Sequence, residues 1–185
     1  MAVVEATPSD LVDRRSTVAR GAVALVAAAA SVAMLVEAGI SGTAFIGIAA
    51  IGALAVLCVT DIEHHRLPNR IVIPSAVAIL AAQTVVHPDR LLEWVVAPMA
   101  AFLAVLVLHV IQPSGLGMGD AKLALLLGAI LGADVTYGLA LGSVAAALFG
   151  LGMIARNGRQ AARSYIPYGP FLAAGTVAVL LLGAA

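Results

Sequence analysis

The chain has 185 residues, of which 62% are hydrophobic and 11% charged, with a mean hydropathy of +1.07 and ten Lys and Arg balancing ten Asp and Glu. A soluble domain is about half apolar and about a quarter charged, so the composition excludes an ordinary soluble globule and points to a membrane protein. Without a basic surplus there is no electrostatic footprint for nucleic acid, and a single cysteine, Cys58, allows neither a disulfide framework nor a cysteine-based zinc site.

A membrane-spanning helix needs about 20 mainly apolar residues. Seven such runs follow one another along the chain: Val18 to Val36, Thr43 to Thr60, Ile71 to Val86, Leu91 to Ile111, Ala121 to Val135, Tyr137 to Ile154 and Phe171 to Ala184. The first follows Arg14, Arg15 and Arg20 and reaches Glu37 without a small-residue cleavage pattern, which predicts a retained anchor helix rather than a signal peptide. The Arg14-Arg15 pair is not continued as a twin-arginine signal and is read as topogenic charge. The fifth and sixth runs form one long apolar tract, divided here at the Gly132-Ala133-Asp134 turn signal. The predicted fold is an all-α, polytopic bundle of about seven membrane helices. It forms one membrane-embedded domain, with a tail over 1–17, an extra helix and loop over 18–42 and a core over 43–185.

The charges give an independent test of that division. With a cytoplasmic N-terminus, seven spans place Arg14, Arg15, Arg20, Arg66, Arg70, Lys122, Arg156, Arg159 and Arg163 inside and only Arg90 outside, as the positive-inside rule requires. Glu37, Asp89, Glu93 and Asp134 then fall in outer loops. Gly128-xxx-Gly132 and Gly138-xxx-Gly142 offer small faces for close helix approach, but such spacings are frequent by chance in a glycine-rich chain and carry little functional weight.

Two inner loops hold nearly all the unusual chemistry. One runs from Thr60 to Arg70, with Asp61 at the very end of the second span. The other reads Gly115-Leu116-Gly117-Met118-Gly119-Asp120-Ala121-Lys122 and leads into the fifth. Both aspartates are therefore expected at the same depth. The fifth run, Ala121 to Val135, gives only about 22 Å of helix at ~1.5 Å per residue, against a hydrocarbon core of roughly 30 Å. If its inner end is the submerged one, Asp120 lies within the membrane edge, where a carboxylate is by default a functional group. The glycines are expected to make tight, positive-φ turns there.

Two carboxyls sharing a proton let one act as general base on water while the other donates to a peptide carbonyl oxygen. Asp120 is expected as a helix N-cap, a position that suits a carboxylate, and Asp61 near a helix C-terminus, which does not. Asp120 is thus assigned the base and Asp61 the acid. Glu63, His64 and His65 have metal-ligating chemistry, but adjacent histidines diverge on a helix and no second cluster faces them, so a solvated face is expected and no metal. His109 is expected as a buried, hydrogen-bonded side chain and His87 as a plain outer-loop residue. Lys122 either holds a carboxylate or reaches the headgroups, and Arg156, Arg159 and Arg163 are expected to meet anionic lipid.

Asp61-xxxxxx-Pro68-Asn69, Gly117-Met118-Gly119-Asp120-Ala121-Lys122-Leu123 and Pro167-Tyr168-Gly169-Pro170-Phe171 together resemble the type IV prepilin peptidases, which are GxGD membrane aspartyl proteases. The resemblance covers roughly residues 43 to 185. It implies Asp61 and Asp120 as catalytic residues, with Gly117, Met118, Gly119 and Lys122 in the active-site loop and no cofactor. The implied reaction is removal of the basic leader from a prepilin or pseudopilin at the cytoplasmic face of a bacterial or archaeal membrane. The longer members carry an insert with paired cysteines and also methylate the new terminus. This chain has no such insert and is similar to the short peptidases of tight-adherence pilus systems, so methyl transfer is not expected. Two other classes compete: a proton-coupled transporter using the same carboxylates, which would place them near the midplane in related repeats, and an inactive scaffold that binds pilin helices.

Overall fold

A computed structural model describes residues 8–112, 117–158 and 167–183, with side chains from residue 16 onward. The described residues form seven α-helices and no strand: α1 (Pro8–Ala38), α2 (Gly42–His64), α3 (Asn69–Val86), α4 (Leu91–Ile111), α5 (Met118–Leu131), α6 (Val135–Asn157) and α7 (Gly169–Leu181). Each corresponds to one of the seven predicted runs, although α5 ends at Leu131 where the run extends to Val135, and α7 ends at Leu181 where the run extends to Ala184, which lies outside the described residues. Gly115 and Leu116 of the second loop, and Arg159 and Arg163, lie outside the described residues, as do the side chains of Arg14 and Arg15.

Five segments are long and apolar enough to cross a membrane, the last being Met118–Asn157, and Gly169–Leu181 is a shorter apolar helix. The protein is an all-α, multi-pass membrane bundle. Helix α1 starts at Pro8, earlier than the apolar run at Val18, so the predicted tail is helical from that residue onward. The tract from Met118 to Asn157 is broken where the sequence suggested, by a single 3-10 turn over Gly132–Asp134 in which Gly132 has φ 60.

Local signals explain most boundaries. Gly39 (φ 63) closes α1 in the left-handed region. Ser41 then caps α2 by accepting the Ala44 N–H at 3.1 Å. At the other end of α2, His65 takes the left-handed conformation (φ 52) and returns its N–H to the Asp61 carbonyl at 2.9 Å.

Helix α5 is the centre of the bundle. Ten of its fourteen residues are buried, on every side, which marks a helix enclosed by others. The closest approaches use glycine. A methyl group at Gly128 would lie 2.5 Å from the Pro98 Cα of α4, and one at Gly142 would lie 2.7 Å from the Leu172 Cα of α7. Gly175 of α7 meets the backbone of Gly138 and Gly142 in the same way. The two small-residue spacings are thus structural: Gly128 seats α4 on α5, and Gly138-xxx-Gly142 seats α7 on α6. The outward surface is apolar, with Leu25, Phe45, Val77, Val107 and Leu151 among the large exposed side chains.

A side chain at the α6–α7 crossing has nowhere to go. Gly142→Ala is expected to destabilise the protein by about 1–3 kcal/mol through overpacking, whereas Gly152→Ala, on the same helix with nothing within 4 Å, is expected to be neutral or slightly stabilising. Thermal unfolding of the two variants in detergent measures the difference, and equal midpoints would contradict this packing.

Candidate active site

The loop between α2 and α3 and the start of α5 enclose a cleft of about 280 Å³. Asp61, Gly117, Gly119, Asp120 and Lys122 line it, together with His65, Arg66, Leu67 and Asn69. The two aspartates, 59 positions apart in sequence, meet at one end of the bundle. They are buried, at 5% and 9% exposure, and close enough for the charge of one to act on the other. Met118 is the one predicted loop residue outside the cleft lining; its side chain is exposed.

Each carboxylate is held by a backbone donor. The Asp120 Oδ2 accepts the Gly117 N–H at 2.8 Å, and the Asp120 N–H returns to the Gly117 carbonyl at 3.0 Å. This corrects the expected cap: Gly117 is the N-cap and Asp120 stands three residues in, as the acid that reaches back in a capping box. Glycine supplies no side chain for the other half of the box, so its carbonyl takes that place. The Asp61 Oδ2 accepts the Gly169 N–H at 3.1 Å, from the first residue of α7. Asp61 therefore lies in the last turn of α2 and against the first turn of α7 at once.

That double placement removes the helix-end asymmetry behind the expected division of roles. Both carboxylates sit at a helix N-terminus, and their protonation belongs to the pair. The glycine expectation also changes. Gly117 has an ordinary extended backbone (φ −85) and Gly119 is helical, so neither makes a positive-φ turn. A methyl group at Gly117 would lie 3.5 Å from the Asp120 carboxylate and one at Gly119 3.4 Å from Leu67, both near ordinary contact. The demanding glycine is Gly169, where a methyl group would stand 2.7 Å from the Asp61 Oδ2. The sequence contained this residue within the Pro167 to Phe171 motif, but nothing in the pattern assigned it a task.

The surrounding polar residues also acquire partners. The Lys122 Nζ donates to the Asn69 Oδ1 at 2.9 Å, an exposed bond that ties the start of α5 to the start of α3. Glu63 receives two hydrogen bonds from Arg20 of α1, at 2.6 and 2.9 Å, an exposed ion pair on the solvated face that it shares with the exposed His64 and His65. His109 is half-buried and near enough to act electrostatically on Asp120. His87 is not a plain loop residue, since its Nε2 lies 3.2 Å from the Thr43 Oγ1. Among the described residues no three His, Cys, Asp or Glu side chains converge to hold a metal ion.

The model of the type IV leader peptidase family matches residues 48–151, a stretch that includes both aspartates and stops before Gly169. The prepilin leader peptidase/N-methyltransferase of Bacillus subtilis (strain 168) is 33% identical over 146 residues, which is 78% of this chain. The chain spans 58% of that relative's length. No solved structure gives a significant match. Matched over more than half its length, with Asp61 and Asp120 inside the match, the chain belongs to the type IV leader peptidase family.

Proposed function

We propose that this protein is an aspartic endopeptidase that removes the basic leader from type IV prepilins or pseudopilins at the cytoplasmic face of the membrane. The observation that carries the proposal is the meeting of Asp61 and Asp120 in one cleft, each oriented by a backbone N–H. Family membership and the prepilin leader peptidase activity of the Bacillus relative support the choice of substrate. The distribution of cationic residues, taken with seven spans and the N-terminus inside, supports a cytoplasmic cleft.

In this mechanism one carboxylate takes a proton from water as the water oxygen attacks the scissile carbonyl carbon. The other, protonated, gives its proton to the carbonyl oxygen. The tetrahedral intermediate collapses with cleavage of the C–N bond; the leaving amine takes the proton that the first carboxylate had accepted, and one hydroxyl of the intermediate returns its proton to the second. The Gly169 and Gly117 N–H groups hold the two carboxylates so that little reorganisation is needed. The Lys122–Asn69 bond keeps the two loops at a fixed spacing.

The proposal covers cleavage alone, because Cys58 is the one cysteine and the paired-cysteine insert associated with methyl transfer has no counterpart. The transporter reading finds no support: the two carboxylates share one end of the bundle.

Co-expression with a candidate prepilin, with leader removal followed by gel shift, tests the dyad. Asp61→Asn and Asp120→Asn are each expected to lower the cleavage rate on the order of 10³-fold or more, with the double variant little worse than either because the two act as a unit. Full processing by either single variant would rule the mechanism out. Gly169→Ala is expected to cost about 10²-fold by displacing the Asp61 carboxylate, while Gly117→Ala costs far less; the reverse order in the same assay would show that Gly169 does not position Asp61. For orientation, alkaline phosphatase fused after Asp89 is expected to be active and after Asn157 inactive, the opposite pattern placing the cleft outside.

A further inference from the structure

At the end of the bundle away from the cleft lies a cavity of about 100 Å³, lined by Thr43, Gln83, His87, Arg90, Trp94 and Ile130 among others. Two of these side chains are almost wholly enclosed, Trp94 at 1% and Gln83 at 5% exposure, and each carries one polar atom without a partner. The unpartnered atoms are the Trp94 Nε1 and the Gln83 Oε1. Their orientation is not interchangeable. The Gln83 Nε2 donates to the Ile130 carbonyl at 3.2 Å, so turning the amide over would set two oxygens against each other and leave the donor idle.

The residues that line the cavity thus carry one donor, the indole N–H, and one acceptor, the amide oxygen, that have no partner among the described residues. Its charge is balanced. Arg90, whose guanidinium carbon lies 5.1 Å from the Trp94 ring centroid, is paired with Glu93 at 2.7 Å, and the Thr43 hydroxyl is engaged with His87 at 3.2 Å. A simple anion would suit the indole but meet the amide oxygen; a cation would do the reverse. A small neutral molecule that accepts from one atom and donates to the other suits both. The space is large enough to hold water.

We propose that this cavity is a binding site for ordered water, in which a water molecule accepts the hydrogen bond of the Trp94 Nε1–H and donates to the Gln83 Oε1, bridging α4 to α3. Because Gln83 also holds the Ile130 carbonyl, the bridge reaches the end of α5 as well. The inference is independent of the peptidase reading.

Trp94 is the single tryptophan of the chain, so its indole resonance and its fluorescence are unambiguous. The full-length protein, labelled with ¹⁵N at the indole and placed in lipid nanodiscs, is expected to show a cross-relaxation peak between the Nε1–H and water. Gln83→Met, which removes the acceptor, is expected to lose that peak and to shift the Trp94 emission to shorter wavelength. Thr43→Val is expected to keep the peak; its loss there would show that the signal is relayed through the Thr43 hydroxyl and would overturn the proposal. Absence of the peak in the unsubstituted protein overturns it directly. If Gln83→Met does not fold, the unsubstituted protein decides: a second cross-relaxation peak between water and the Gln83 side-chain amide is expected, and its absence overturns the proposal.

Discussion

The shortness of α5 governs the architecture. Fourteen residues make about 21 Å of helix at ~1.5 Å per residue, well under a hydrocarbon core of roughly 30 Å. A helix that short, buried on all sides, brings its terminal N–H and C=O groups into the interior, where each needs a protein partner or water. Both ends of α5 accordingly carry polar networks. At one, the Asp120 carboxylate turns back onto the Gly117 N–H. At the other, Gln83 donates to the Ile130 carbonyl, and Glu93, paired with Arg90, accepts the Ala133 N–H at 2.9 Å. One constraint thus produces both the carboxylate end and the far-end network.

Much of this was legible in the sequence, because apolar run length and a turn signal are strong markers of membrane helices. The seven runs correspond to seven helices, and Gly132-Ala133-Asp134 marks the break between α5 and α6. Asp61 and Asp120 stood out because carboxylates are scarce at the edge of apolar runs. What the sequence did not reveal were contacts made by the backbone. Gly169 donates its N–H to Asp61 from 108 residues away. No side-chain pattern records that donor, and the glycine is needed for the methyl group it lacks. The Arg20–Glu63 and Lys122–Asn69 pairs were hidden similarly, since charge pairing between distant helices depends on which faces meet.

The glycines show where local chemistry misleads. Glycine in a loop suggests an unusual turn, yet Gly117 and Gly119 adopt backbones open to any residue. The spacings that seemed incidental are the ones with steric content. Gly138 and Gly142 let α7 approach α6 so closely that backbone meets backbone at Gly175. In a bilayer, where lipid is as apolar as leucine, such contact is a main source of helix association. The position of α7 is thus set by packing, and Gly169 lies six residues from Gly175 on the same helix.

The three elements that build the cleft belong to different helix partnerships. Asp61 rides on α2, whose neighbours include α1 and α3; Asp120 on α5, packed along α4; the Gly169 donor on α7, packed along α6. Direct contact between α2 and α5 is slight by comparison. The carboxylate pair therefore depends on how α2, α5 and α7 dock, through α3, which packs on both α2 and α5, and through the direct packing of α7 on α2. A displacement of any one of these three helices would therefore separate the two carboxylates, or strip Asp61 of its backbone donor, without breaking a hydrogen bond inside any helix.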